Sequence, residues 1–181
     1  MENTRKNAYK FYEGDILEKL TDLYNYMVEY FTGDAKRAQH LGTVHSLARQ
    51  IALSEKVTAQ TLYILETAAL VHDCGTVPGE ALFGKGKCSK KTQEIEGPPI
   101  ARKILKNFGF EEPIIDRVCY LVGHHHTYDN IDGIDYQILV EADFLVNFYK
   151  DGTSEKVIRT CMEKIFKTET GKRFARQMFA L

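Results

Sequence analysis

Apolar residues recur at helical spacing along most of the chain, and the strict alternation typical of a β-strand is scarce. The clearest apolar stripe lies between about Asp15 and Phe31. Asp34 is suited to cap a second helix that reaches about Ser54, and Thr58 is suited to cap a third helix. The pattern predicts an all-α fold, a single-domain helical bundle.

Prolines and glycines divide the rest of the chain. The third helix is expected to end near Cys74 and Gly75, and the glycine- and lysine-rich stretch 84–91 is expected to form a loop. The next helix is predicted to have Pro98 and Pro99 in its first turn and to end at Gly109. Further helices are predicted at about 113–122, 136–149 and 153–166. Residues 168–181 are expected to form a short helix or a partly ordered tail.

Composition and charge argue against several classes of protein. The 181 residues include 24 basic and 25 acidic side chains, so the chain lacks the basic surface of a general nucleic-acid binder. No apolar run approaches the roughly 20 residues that span a bilayer, and residues 1–13 lack the apolar core of a secretory signal. The four cysteines are far apart, with no Cys-x-x-Cys pair, which disfavours a zinc ribbon or a disulfide scaffold. We therefore expect a soluble cytoplasmic protein.

Four ionisable side chains occur where the helical pattern favours apolar residues. His40 lies on the apolar face of the second predicted helix, and His72 faces the core at the end of the third. Asp73 follows an apolar run, and Asp143 stands inside the apolar segment 138–146. A buried carboxylate is costly unless it is paired or metal-bound. Two imidazoles and two carboxylates from three helices are a typical ligand mixture for a divalent metal ion.

These residues belong to three ordered motifs. They are Arg37-x-x-His40-x-x-x-Val44-x-x-x-Ala48, then Ala68-Ala-Leu-Val-His72-Asp73-Cys-Gly75, and then Ala142-Asp143-Phe-Leu. The set resembles the HD-domain superfamily of metal-dependent phosphohydrolases over residues 35–149. The resemblance implies that His40, His72, Asp73 and Asp143 bind a metal. It also implies an HD-type core at 34–151, with helices at 1–33 and 152–181 packed on it in one structural domain.

A histidine triplet extends the predicted site. Two-metal members of the superfamily use additional histidines between the His-Asp doublet and the last aspartate, and His124 and His125 resemble those positions. His126 is expected to contact the substrate or to donate a proton. The alternative for the triplet is a surface cluster at a helix end, where the helix dipole favours cations.

The segment 93–99 departs from the pattern of two-metal relatives, which often carry another histidine in this region. This chain has Glu94 and Glu96 instead. Either glutamate is expected to contact the metal or the substrate, and a role at a helix N-terminus is the alternative.

A second departure concerns the phosphate. Many relatives have a lysine after His-Asp-x-Gly, whereas this chain has Thr76. The lysines of the following loop are expected to supply that positive charge. Lys91 is expected to donate a proton. The residues expected to bind the substrate are Arg37, Lys85, Lys87 and Lys90. A solvated charged loop is the alternative.

The resemblance implies hydrolysis of a phosphomonoester or phosphodiester, of a nucleotide or a small phosphorylated metabolite, by metal-activated water. Asp73 would both bind the metal and orient the nucleophile. Nitrogen and oxygen ligands suit one or two ions of Mn, Fe, Co, Ni, Zn or Mg. Two alternatives stay open: a di-iron oxygenase of the same superfamily, and a non-catalytic nucleotide-binding or regulatory module. Tyr9, Phe11 and Tyr12 are expected either to form a homo-oligomer contact or to pack on their own chain.

Overall fold

A computed structural model describes residues 14–181 and consists, over that range, of nine α-helices without a strand. The helices are α1 Asp15–Tyr30, α2 Ala35–Glu55, α3 Ala59–Val71, α4 Thr76–Phe83, α5 Lys90–Asn107, α6 Glu112–Val122, α7 Ile134–Lys150, α8 Glu155–Ile165 and α9 Glu169–Phe179. The all-α prediction is therefore confirmed. The aromatic contact expected of Tyr9, Phe11 and Tyr12, and the first part of the expected 1–33 extension, lie outside the described residues.

Asp34 and Thr58 cap the helices for which the sequence predicted them. The Asp34 carboxylate accepts a hydrogen bond from the Arg37 backbone N–H at 3.0 Å, and the Thr58 hydroxyl accepts one from Thr61 at 3.1 Å. Each cap satisfies a backbone donor that has no partner within its own helix. Gly109, with a φ of +66°, follows the end of α5 as predicted.

The helix α3 forms the centre of the molecule. It packs against α1, α2, α6 and α7, and its side chains are buried around most of its circumference. A helix that is apolar on all sides is stable only inside a core. Because α3 ends at Val71, it delivers the next two residues, His72 and Asp73, to the interior of the bundle.

The region after the His-Asp doublet differs from the prediction. A short helix, α4, occupies 76–83, and α5 begins at Lys90 rather than at the two prolines. The Ser89 hydroxyl accepts a hydrogen bond from the Thr92 backbone N–H at 3.1 Å and so caps α5. The loop expected at 84–91 is accordingly shorter, since its last two lysines are helical.

Pro98 and Pro99 lie inside α5 and not in its first turn. Each proline lacks a backbone N–H, so one preceding carbonyl in the helix has no donor. Proline is therefore normally disfavoured in the interior of a helix. Close packing holds this helix in place: a Cβ on Gly75 would lie 2.5 Å from the Gln93 carbonyl oxygen and 2.7 Å from the Gly97 nitrogen. Only a glycine at position 75 allows the start of α4 to approach α5 so closely.

The C-terminal segment is ordered as helix α9, the first of the two predicted alternatives. Its attachment depends on Glu141 of α7, whose side chain is fully buried. The Glu141 carboxylate accepts hydrogen bonds from the backbone N–H groups of Lys167 at 2.6 Å and Thr168 at 3.0 Å, and from the Thr168 hydroxyl. Burial of this carboxylate is offset by these donors, which anchor the α8–α9 connection to the core.

None of the helices in the described part of the chain is long and apolar enough to cross a membrane. The four cysteines, Cys74, Cys88, Cys119 and Cys161, are free thiols.

Candidate metal centre

Three separate helices bring their ionisable side chains to one point in the core. His40 comes from α2, His72 and Asp73 follow α3, and Asp143 comes from α7. The His40 Nε2 atom lies 3.3 Å from His72 Nε2, 3.1 Å from Asp143 Oδ1 and 3.6 Å from Asp73 Oδ2. His72 Nε2 lies 3.7 Å from Asp73 Oδ2 and 3.8 Å from Asp143 Oδ1. All four side chains thus present a nitrogen or oxygen atom to one small volume.

Backbone carbonyls orient two of the imidazoles. His72 Nδ1 lies 2.9 Å from the Ala69 carbonyl oxygen, and His125 Nδ1 lies 2.7 Å from that of Val122. A carbonyl only accepts, so each Nδ1 carries the proton and each Nε2 presents a lone pair to the cluster. This arrangement, in which the outward nitrogen donates and the inward nitrogen binds, is the usual one for metal-ligating histidines.

Several buried nitrogens of the cluster have no hydrogen-bond partner among the described residues. They are His40 Nδ1, His125 Nε2 and His126 Nδ1. Buried polar atoms normally find a partner, so the atoms of His125 and His126, which are grouped with Asp73, mark a place for a further ligand. His125 Nε2 faces Asp73 Oδ1 at 3.7 Å, which is beyond hydrogen-bond distance. The donor set of imidazoles and carboxylates therefore fits a divalent metal ion.

Electrostatics keep both acids ionised. Burial alone raises the pKa of Asp73, but the surrounding imidazoles, of His72 first and then of His125 and His40, outweigh burial and hold that pKa well below its usual range. For Asp143 the effect of burial is likewise outweighed, chiefly by the hydrogen bond from His40, and its pKa is lowered. Burial lowers the pKa of His72 and favours the neutral ring. Ionised carboxylates and a neutral imidazole are the protonation states that bind metals.

Asp73 links the first cluster to a second group of possible ligands. Its Oδ2 faces His40 and His72, while its Oδ1 faces His125. Ligand atoms of Asp73, His125 and His126 lie within 4.8 Å of one another, as do those of His40, His72 and Asp73. One carboxylate thus stands between two sets of imidazoles.

His126 is held in this second group by α5. Its backbone N–H donates to Glu94 Oε1 at 3.1 Å, and its Nε2 lies 2.7 Å from Gln93 Oε1. The Gln93 amide in turn donates to the Thr76 hydroxyl at 3.0 Å. Because Gln93 Oε1 accepts the Nε2 proton, the unpartnered Nδ1 is left with its lone pair. Burial, reinforced by the charge of His125, lowers the pKa of His126 to about 3.

The structure does not bring His124 into either group. Its ring stacks on Tyr120 with centroids 4.3 Å apart, and its Nδ1 lies 2.7 Å from the Tyr120 carbonyl oxygen. The helix α6 ends at Val122, and extrapolating its geometry fails for His124, although His125 is buried as that extrapolation expected. His126 was expected to contact the substrate. It lies instead in the second group of possible ligands, the place expected for His124.

The two glutamates expected at the site have different places. Glu94 is buried, and its Oε1 accepts hydrogen bonds from the His126 backbone and from the Thr127 hydroxyl at 2.8 Å. It therefore anchors the histidine turn to α5 and is not itself in a potential ligand group among the described residues. Glu96 is partly exposed. The pKa of Cys88 is raised mainly by burial, then by the negative charges of Glu80 and Asp73, and least by that of Glu96.

The expected phosphate-binding cations are mostly directed elsewhere. Arg37 pairs with Asp34 at 2.8 Å and with Glu80 at 3.2 Å, and Lys91 lies 3.5 Å from Glu94 with 75% of its side chain exposed. Lys85 and Lys87 are exposed outside the cleft that opens above the cluster. Of the four loop lysines, Lys90 alone lines that cleft.

This cleft, of about 330 Å³, gives access to the cluster from solvent. His40, Asp73, Asp143 and His126 form its base. Its walls contain residues that the sequence analysis did not assign to the site: Gln93, Tyr128, Phe144, Asn147 and Lys150. The signal for two of them was present, because positions 143, 147 and 150 share one face of α7. Asn147 Nδ2 donates to Asp143 Oδ1 at 2.8 Å.

Comparison with known proteins supports the same family. The HD domain family matches residues 37–160, more than half of the chain. A solved structure of a predicted HD superfamily hydrolase from an uncultured Thermotogales bacterium is 26% identical, with a TM-score of 0.63 over 88% of this chain and 84% of that chain. YpgQ of Bacillus subtilis shares the fold at 18% identity, with a TM-score of 0.61 over 90% of this chain and 87% of that chain. No curated protein matches the chain.

The chain therefore belongs to the HD domain family. The family and the HD-type bundle predicted from the ordered motifs are confirmed.

Proposed function

We propose that this protein is a metal-dependent hydrolase that cleaves a phosphomonoester or phosphodiester of a nucleotide or a small phosphorylated metabolite. The observation that carries the proposal is the convergence of His40, His72, Asp73 and Asp143 on one point, with all but the fully buried His72 lining an open cleft. Buried acids among neutral imidazoles are stabilised when a cation occupies the point they share.

The residues have distinct roles in this proposal. His40, His72, Asp73 and Asp143 would hold a divalent ion, and His125 and His126, which are grouped with Asp73, would hold a second. Asn147 positions the Asp143 carboxylate through the hydrogen bond from its amide. The backbone carbonyls of Ala69 and Val122 fix the tautomers of His72 and His125.

A divalent ion held there supplies an activated water nucleophile and a positive charge beside the phosphoryl oxygens. Asp73 accepts a hydrogen bond from the attacking water and directs it toward phosphorus. The leaving oxygen also requires a proton or a positive charge. Lys91, the predicted proton donor, is turned toward Glu94 and does not line the cleft.

The proposal is tested by phosphate release from a panel of phosphoesters with each candidate divalent ion. We expect Asp73→Ala and His72→Ala to reduce metal-dependent turnover by at least about 1,000-fold, because loss of a metal ligand removes the nucleophile. Asp129→Asn, at an exposed position outside both ligand groups, serves as the matched control and should retain activity. Circular dichroism should show the helical content of all three variants unchanged.

Other outcomes separate the alternatives. Full turnover in both the Asp73 and the His72 variants would contradict the proposal. Iron content with substrate-dependent oxygen uptake, in place of phosphate release, would favour a di-iron oxygenase. Stoichiometric metal with tight nucleotide binding but no turnover would favour a regulatory module.

A further inference from the structure

Two lysines line the cleft above the candidate metal centre. Lys90 is the first residue of α5, and Lys150 is the last residue of α7. Both side chains line the same cleft as His40 and Asp143. Neither makes an ion pair with another residue of the range 14–181, in contrast to Lys91 and Arg37, whose charges are paired. Their charges are thus available to a ligand.

Helix geometry places Lys150 well above the base of the cleft. Asp143, Asn147 and Lys150 are separated by four and three residues, so they lie on one face of α7. At 1.5 Å per residue, the backbone of Lys150 lies about 10 Å along the helix axis from that of Asp143. Helical side chains lean toward the N-terminus, so the Lys150 ammonium leans back toward Asn147.

Lys90 also lies above the base of the cleft, at the start of α5. It precedes Gln93 by one helical turn, and Gln93 contacts His126 at the base. Burial raises the pKa of Cys161 on α8, and the charges of Lys164 and Lys90 oppose that effect. Lys90 is therefore close enough to act electrostatically on the α8 side of the cleft.

The balance of charge at this height is positive. Asp73 and Asp143 lie at the base and are engaged by histidines, so they do not neutralise the lysines. Asp151 is the one acidic residue at the upper part of the lining. Two cations against one acid favour an anionic group on the ligand.

We infer that Lys90 and Lys150 form an anion-binding subsite, so that the substrate is an organic phosphoester carrying a second anionic group beyond the scissile one. This inference rests on the proposed function, since it takes the scissile phosphoryl group to lie at the metal centre. A second phosphate and a carboxylate share the required chemistry. Tyr128 and Phe144, whose rings are 4.9 Å apart, provide the apolar wall beside this subsite.

Calorimetric titration of the manganese-loaded protein tests the subsite with non-hydrolysable probes. Methylenediphosphonate carries a second phosphonate, phosphonoacetate carries a carboxylate, and methylphosphonate carries neither. We expect Lys90→Gln and Lys150→Gln each to weaken methylenediphosphonate binding roughly 3- to 10-fold, while methylphosphonate binding changes less than about 2-fold. If the lysine variants bind phosphonoacetate more weakly to the same extent, the subsite also accepts carboxylates. If their affinity for phosphonoacetate is unchanged, the second anionic group is restricted to phosphate.

Charge-matched variants sharpen the test. Asp151→Asn removes the opposing acid and should strengthen methylenediphosphonate binding, whereas Lys156→Gln, on an exposed position of α8 outside the cleft, should leave all three affinities unchanged. Equal affinity of methylenediphosphonate for the wild type and both lysine variants would overturn the inference. So would a parallel loss of methylphosphonate binding, which would place the lysines at the scissile group.

The failure of the inference is distinguishable from that of the proposed function. If the protein hydrolyses phosphoesters but the lysine variants bind the probes normally, only the subsite is refuted. If the wild type hydrolyses no phosphoester with any divalent ion, the proposed function is refuted, and the inference falls with it even if the probes still bind.

Discussion

At the scale of single residues, hydrogen bonds to the outward nitrogens decide what each histidine can do. Carbonyl oxygens hold the Nδ1 protons of His72 and His125, so their Nε2 atoms face Asp73. His126 is the reverse case, because Gln93 Oε1 accepts from its Nε2 and leaves Nδ1 for the cluster. An amide on α5 therefore controls the tautomer of a proposed ligand.

Removal of the Gln93 amide tests this control. Gln93→Leu takes away the acceptor at His126 Nε2, and we expect the affinity for the more weakly bound ion to fall about 10- to 100-fold. Gln93→Glu keeps an acceptor oxygen and should restore most of that affinity. Metal stoichiometry measured at graded free manganese concentrations reports the loss. The exposed Gln50→Leu on α2 is the control, and identical titration curves for Gln93→Leu and Gln50→Leu would contradict the assignment.

At the scale of secondary-structure elements, ion pairs hold the histidine turn in place between α6 and α7. Arg117 on α6 donates to Asp135 at 2.7 Å and 2.8 Å, and to Asp132 at 2.8 Å and 2.9 Å. Tyr136 adds a hydrogen bond from its hydroxyl to the His124 carbonyl at 2.6 Å. The loop that leads from the histidines to α7 is thereby attached at both ends.

The pH dependence of stability should reveal this attachment. Hydrogen bonds from Arg117 lower the pKa of Asp132, so its contribution to stability is present above the unfolded-state pKa of about 4. That contribution is lost as the pH falls through the lower, folded-state pKa. Urea unfolding between pH 5 and pH 2.5 should therefore show a shallower acid loss for Asp132→Asn than for the wild type. Asp22→Asn, at an exposed position on α1, should follow the wild-type curve. A steeper loss for Asp132→Asn would reverse the sign of the proposed linkage.

At the scale of the whole molecule, the candidate metal centre joins helices that are distant in sequence. His40, Asp73 and Asp143 belong to parts of the chain around α2, α3 and α7, which form the centre of the bundle. An ion bound there would bind the folded state and not the unfolded chain. Metal binding and global stability are consequently linked.

Thermal unfolding with and without manganese tests this linkage. At 100 times the dissociation constant, one bound ion adds about 2.7 kcal/mol to the free energy of unfolding, which raises the Tm by roughly 5–10 °C for a chain of this size. Asp73→Ala should abolish the increase, and Asp129→Asn should keep it. An equal rise in all three proteins would place the binding site elsewhere.

Local spacing along the chain was sufficient to predict the all-α fold and the caps at Asp34 and Thr58, since each depends on residues within a few helical turns. The HD family was predicted from the resemblance of three ordered motifs that are distant along the chain. The same spacing also predicted which faces His40, His72 and Asp143 occupy, because side-chain direction within a regular helix follows from position alone. Their exact ligand roles remain a prediction.

The tertiary structure alone decided the places of the histidine triplet, Glu94 and Pro98. The triplet follows the end of α6, where helical geometry no longer applies, and the direction of His126 depends on Gln93, which lies 33 positions earlier. Pro98 is tolerated inside α5 because Gly75 lets another segment pack closely against that helix. A sequence pattern describes intervals along one helix, whereas hydrogen bonds and close packing between segments are defined only when the whole bundle is assembled.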